Sequence, residues 1–115
     1  MRPESAIQLQ IRKYIAAAGF HSVAVPNGAV LRGDKIERAK QMNALKRDGL
    51  MPGFPDLLIY GRGKRIGHIE VKTPTGRQED SQQAAQAWLE GLGHHYALCR
   101  SVDDAVAALK SWGWV

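Results

Sequence analysis

Two carboxylates and a lysine make the pattern P-D-x13-E-V-K in the middle of this 115-residue chain: Asp56 follows Pro55, and Glu70 opens Glu70-Val71-Lys72. Carboxylates that converge from neighbouring strands can hold a hard divalent cation, and a lysine beside them can orient an attacking water or neutralise a phosphate. The oxygen set of Asp56, Glu70 and the Val71 backbone carbonyl suits Mg²⁺ or Mn²⁺ rather than zinc, because no Cys/His set accompanies it. An ion of that kind lowers the pKa of its water and stabilises charge developing at phosphorus, which is the chemistry of phosphodiester hydrolysis. The pattern alone reads equally as a strand-starting Asp and a solvated Glu-x-Lys edge, and short motifs of this kind match by chance. The elements that carry it must decide.

Leu57-Leu58-Ile59-Tyr60 is a short β-favouring run, and a second run over 66–72 alternates from Gly67 onward. Between them Gly61-Arg62-Gly63-Lys64-Arg65 reads as a turn, so the pair predicts a β-hairpin. Folded symmetrically about Gly63, the hairpin sets Tyr60 opposite Ile66, Leu58 opposite His68 and Asp56 opposite Glu70. Residues paired in this way have Cβ atoms about 4.5 to 5.5 Å apart, within reach of one cation. Lys72 falls on the same face as Glu70, while Leu57, Ile59, Ile69 and Val71 form an apolar strip on the other.

Around the hairpin, apolar spacing predicts a first helix over 4–18 with Gly19 as terminator, and a first strand over 20–25 closed by Pro26-Asn27-Gly28. A second helix over 34–47 presents Ile36, Ala39, Met42 and Leu45 on one face. A third over 79–92 is expected to bury Ala85, Trp88, Leu89 and Leu92. A strand over 95–100 and a last helix through Lys110, started at Ser101 in the manner of a capping box, complete the order. That order, helix, strand, helix, strand, strand, helix, strand, helix, predicts an α/β fold with a mixed sheet flanked by helices.

Glu4 and Gln8 share one stripe of the first helix and could look over the sheet edge towards the acids; the bland reading of Glu4 is a first-turn acid matched to the helix dipole. Gln82, near a helix N-terminus, is either a phosphate contact or an exposed glutamine beside Gln83 and Gln86. Arg32, Lys35, Arg38 and Lys46 are either a solvated surface or a DNA-contacting one, and Asn27 is either a turn residue or part of that surface. His68 shares the acidic face, where an imidazole beside Leu58 needs no catalytic role. Trp112 and Trp114 are either a tail folded onto the domain or an exposed patch for a partner subunit.

At 44% hydrophobic and 23% charged the chain should be globular, with room for a single domain over 1–115. Sixteen Lys and Arg against eleven Asp and Glu give a formal charge of +5, which fits an anionic partner. No apolar run approaches the ~20 residues of a membrane span and no signal-peptide pattern opens the chain, so a cytoplasmic protein is expected. The lone Cys99 excludes an intrachain disulfide and reads as a buried thiol.

These residues resemble the PD-(D/E)XK nuclease superfamily, and within it the virus-type replication-repair nuclease (VRR-NUC) family. The likeness runs through Glu4 and Gln8, Pro26-Asn27-Gly28, Lys46-x-x-Gly49, Pro52-Gly53-Phe54-Pro55-Asp56-Leu57, Glu70-Val71-Lys72, Gly76, Gln82, Trp88-Leu89 and Leu92-Gly93. It departs at 77–81, where Arg77-Gln78-Glu79-Asp80-Ser81 replaces small and apolar residues. The resemblance implies a restriction-endonuclease-like core and a metal-dependent DNA endonuclease, with Asp56 and Glu70 as metal ligands, Lys72 as the catalytic lysine, and Glu4 and Gln82 in support. Small stand-alone members are similar to phage-encoded junction resolvases, which implies branched DNA, Holliday-junction-like, and a homodimer. A scaffold subunit that keeps the fold without turnover, or a nickase on flap or duplex DNA, would share the same residues.

Overall fold

A computed structural model describes residues 2–26 and 31–115, and within them lie four helices and four strands: α1 (Pro3–Ala17), β1 (His21–Ala24), α2 (Lys35–Arg47), β2 (Leu57–Tyr60), β3 (Ile66–Val71), α3 (Asp80–Gly91), β4 (His95–Cys99) and α4 (Val102–Ser111). Asn27 lies outside the described residues. The strands form one mixed sheet in the order β1-β2-β3-β4, antiparallel from β1 to β3 and parallel between β3 and β4. The parallel step needs a crossover, and α3 supplies it.

The hairpin has the predicted register. Tyr60 pairs with Ile66, Leu58 with His68 and Leu57 with Ile69, while Gly63 takes the left-handed conformation (φ +71°) that its turn requires. Alternation then sorts the two faces. Leu57, Ile59, Ile69 and Val71 are fully buried beneath Ile11 and Ile15 of α1 and Ala105, Ala108 and Leu109 of α4. Each such aliphatic side chain contributes about 1.5–3 kcal/mol on burial. Cys99 belongs to the same core, where burial pushes its thiol up to about 12.

The C-terminal tail folds onto the domain. Trp114 packs against Phe20 with ring centroids 5.3 Å apart, and Trp112 stacks on His95 at 5.2 Å. Trp112 also lies over Gly67, where a Cβ would come within 2.5 Å of its ring.

Two helices differ from expectation. α2 opens on a reciprocal cap, with Glu37 N donating to Asp34 Oδ1 (2.8 Å), yet it buries no residue, and Ile36 on its predicted apolar face is 68% exposed. α3 buries Ala85 and Leu89, while Trp88 and Leu92 are exposed. Among the described residues its main strand contacts are with β4, and only one stripe of the helix is buried. The rest of that sheet face carries Val23, Tyr60 and Ile66 in the open.

Candidate functional site: two carboxylates at a strand end

Asp56 sits just before β2 and is held from both sides. Its backbone carbonyl accepts from Val25 N (2.8 Å), continuing the ladder beyond β1, and its carboxylate Oδ2 accepts from Val71 N (2.7 Å) on β3. The N–H and C=O of one residue on an extended strand point to the same side, so the Val71 carbonyl also faces Asp56. The next amide turns the other way: Lys72 N donates to Cys99 O (3.0 Å) beyond β3.

The loop that delivers Asp56 is tightly seated. Gly53 has φ +79°, and a Cβ there would overlap the Ser81 backbone at the start of α3. Phe54 meets His68 edge-on with ring centroids 5.8 Å apart. His68 is buried, and because a carbonyl can only accept, its Nδ1 carries the proton donated to His95 O (2.9 Å). Burial lowers its pKa, which favours the neutral ring.

Continuing the hairpin register one step past Leu57–Ile69 sets Glu70 opposite Asp56. Glu70 is 1% exposed, and its Oε2 has no hydrogen-bond partner among the described residues. Burial first and then the contact with Asp56 push its carboxyl up to about 9, with Lys72 pulling it down and Glu4 adding to the rise. Two acids in one poorly hydrated place cannot both ionise without a cation. A buried oxygen lacking a partner and a surplus of negative charge are what a hard divalent cation would satisfy, so the donor set fits one. No three His, Cys, Asp or Glu side chains gather into a metal cluster among the described residues. A cation here could therefore be held by Asp56, Glu70 and the Val71 carbonyl, with water completing its shell.

A cleft of about 540 Å³ opens beside Asp56, walled by Arg2, Glu4, Gln8 and the Ala24–Pro26 edge. The structure thus brings Glu4 and Gln8 of α1 to Asp56, as the helix stripe predicts. Gln82 is the third residue of α3, and its Oε1 accepts from Glu79 N (2.8 Å) in a capping box, so any role towards a phosphate falls to its Nε2 donor. Arg32, Lys35, Arg38 and Lys46 are exposed on and just before α2, and none of them lines the cleft.

Sequence reasoning missed several participants. Arg2 lines the cleft, although nothing in its flanks signals that. The atypical stretch at 77–81 has structural work: Gln78 Nε2 donates to Gln86 Oε1 (2.9 Å) and to the Tyr96 hydroxyl (3.0 Å), and Glu79 caps α3. Glu79-x-x-Gln82 is a readable capping-box spacing with Glu in the usual Ser/Thr place. An apolar recess of about 430 Å³ between Leu58, Met51, Phe54 and Trp88 adjoins the cleft at Val25.

The VRR-NUC domain profile matches residues 5–103, a span that contains Asp56, Glu70, Lys72 and Gln82. Among solved structures, a VRR_NUC domain protein is similar over 97% of this chain and 88% of its own, with 18% identity and a TM-score of 0.65. That likeness concerns the fold, and it fits a restriction-endonuclease-like core for the four-stranded mixed sheet and its helices. No curated protein matches the chain. With the profile spanning most of its length, the chain belongs to the VRR-NUC family of nuclease domains.

Proposed function

We propose that this chain is a divalent-metal-dependent endodeoxyribonuclease that hydrolyses phosphodiester bonds, with Asp56, Glu70 and the Val71 carbonyl as ligands for Mg²⁺ or Mn²⁺ and Lys72 as the catalytic lysine. The observation that carries this reading is the buried Glu70 carboxyl, one oxygen without a partner, set opposite an Asp56 that is fixed through Val25 and Val71. When bound, the cation supplies a water of lowered pKa and offsets charge that develops at phosphorus. Lys72 neutralises the phosphate or orients the water from the same face, and Glu4 supports the water from the cleft wall. Gln82 steadies the phosphate through its amide nitrogen. The positive surface of Arg32, Lys35, Arg38 and Lys46 holds the DNA backbone, and Asn27 contributes to it.

Branched DNA is the expected substrate, by analogy with the small junction-cutting members that the chain resembles, and symmetrical cutting calls for two copies of the site. A homodimer is supported by the apolar side chains left open on one sheet face, Val23, Tyr60 and Ile66, and by the exposed Trp88 and Leu92 of α3. No helix among the described residues is long and apolar enough to cross a membrane. A place in the cytoplasm, the host's if a phage carries the gene, belongs to this reading.

Four-way junction, flap, nicked and plain duplex DNA, each with and without Mg²⁺ or Mn²⁺, separate this reading from a scaffold subunit and from a nickase. Metal-dependent, paired cuts on the junction are expected, abolished in Asp56→Asn and Glu70→Gln with junction binding retained. Binding without any metal-dependent product overturns the enzyme, and wild-type cutting by either variant overturns the ligand assignment. Sedimentation velocity should give twice the chain mass.

A further inference from the structure

The parallel strands β3 and β4 end side by side, and the residue just past each end is basic: Lys72 and Arg100. Their side chains do different things. The Arg100 guanidinium turns back into the protein, where Nη1 donates to Thr73 O (2.7 Å) and to Gly76 O. Its own backbone is fixed, since Arg100 N donates to Asp104 Oδ2 (2.8 Å) and Asp104 N donates to Ser101 Oγ at the start of α4. The segment that Arg100 grips is the turn directly after Lys72. Gly76 N closes that turn on Thr73 O and on Thr73 Oγ1, both at 3.1 Å. The turn also walls the lysine: a Cβ on Gly76 would sit 3.0 Å from Thr73 Oγ1 and 3.6 Å from Lys72 Cδ.

We infer that Arg100 is a positioning residue for Lys72, bracing the Thr73–Gly76 turn so that the lysine stem is confined on the face of Glu70. Lys72 has four rotatable side-chain bonds and follows the last residue of β3, so its backbone alone does not aim its ammonium group. A turn of two prolyl-bounded threonines and a glycine has little apolar packing to hold it; one guanidinium bridging two of its carbonyls does so. Both bonds leave the single nitrogen Nη1, so a lysine ammonium could make the same bridge in part, but on a more flexible stem than the planar guanidinium. The inference rests on the reading of Lys72 as the catalytic lysine, and it assigns Arg100 no contact with DNA or metal.

The test uses Arg100→Ala, Arg100→Gln and Arg100→Lys in the full chain, with two readouts. Single-turnover cleavage of a metal-loaded junction complex should slow about ten- to a hundred-fold in the Ala and Gln variants, the scale of a catalytic group displaced by an ångström, with junction affinity unchanged and partial recovery in Arg100→Lys. Independently of cleavage, the ¹⁵Nζ resonance of Lys72, assigned by its loss in Lys72→Arg, should move onto those of the solvated lysines in Arg100→Ala and Arg100→Gln, and the Gly76 amide should exchange faster. An unchanged Lys72 resonance in Arg100→Gln overturns the brace, as does cleavage within twofold of wild type by that variant. A loss of rate that tracks weaker junction binding also overturns it, since Arg100 would then be a DNA contact. If the wild-type protein cuts nothing with either metal, the nuclease reading falls while the resonance still decides whether Arg100 positions Lys72.

Discussion

Replacing Glu70 by Gln should make the metal-free protein more stable while it removes one of the proposed metal ligands. The Glu70 carboxyl has a folded pKa of about 9 against an ordinary 4.5, chiefly through burial and then Asp56. Between those two pH values the folded chain holds a proton that the unfolded chain has released, so stability falls as pH rises from about 4.5 to about 9. At pH 7, two and a half pH units above the unfolded pKa, taking up that proton costs about 3 kcal/mol. Gln has the same shape, carries no charge and can donate its amide to Asp56 as the protonated acid would. Asp56, Lys72, Glu4 and Tyr96 face the position in both proteins, so the difference reports on residue 70. Differential scanning calorimetry in EDTA should therefore find the two proteins nearly equal at pH 4.5 and the variant ahead at pH 7 by on the order of 10 °C for a chain of this size. Mg²⁺ or Mn²⁺ should narrow the gap by stabilising wild type alone. A gap that does not grow with pH, or a variant less stable than wild type at pH 8, would refute the buried, proton-holding carboxyl.

Gly53→Ala should cost about 1–3 kcal/mol in urea unfolding, because the methyl meets the Ser81 backbone and φ is +79°. Gly67→Ala, whose methyl meets Trp112, should cost a similar amount and shift tryptophan emission to the red as the ring is displaced. The double variant Arg38→Ala/Lys46→Ala should weaken junction binding and lower the slope of log affinity against log salt by about 2, one for each lost phosphate contact; an unchanged slope would return both residues to ordinary solvated surface. Glu4→Ala should retain measurable metal-dependent cleavage, reduced about tenfold, because the residue lines the cleft and is not among the proposed ligands.

The parts of the fold legible in the sequence are those whose geometry is set locally. A hairpin's register follows from its turn, so counting outward from Gly63 reached the pairs Tyr60–Ile66 and Leu58–His68 and the split between the buried strip and the acidic face. Glycines at 19, 49 and 93 mark helix ends for the same reason: each has φ above +80°, which favours glycine over other residues. Helix burial was less legible. An apolar stripe states which face would pack, and it does not state whether the chain supplies anything to pack against. On α3, whose strand contacts are with β4, Ala85 and Leu89 are buried, whereas Trp88 and Leu92, one residue-step of about 100° away, stay largely exposed, Trp88 at the wall of the apolar recess. On α2 the stripe of Ile36, Ala39, Met42 and Leu45 buries no residue among the described ones: Ile36 and Ala39 are exposed, and Met42 and Leu45 are half-buried. The carboxylate pair could be placed from register alone, while Arg2 and Arg100 could not, because their positions depend on segments far away in sequence.

The clamp on Asp56 has a consequence for the order in which the protein acquires its chemistry. Val25, Asp56 and Val71 come from three separated stretches of chain, and Lys72 is joined to a fourth at Cys99. Contacts of such long sequence separation form late, after the loop-closure entropy between them has been overcome. The hairpin can close early because its turn is short, yet it alone leaves Asp56 without Val25 and Lys72 without Cys99. A chain emerging from the ribosome therefore carries both acids for some time before they are held in place, and the complete centre waits for β4 to dock. On the proposed function, competence to hydrolyse nucleic acid would arrive only with the finished sheet, and a half-made or partly unfolded copy would lack it.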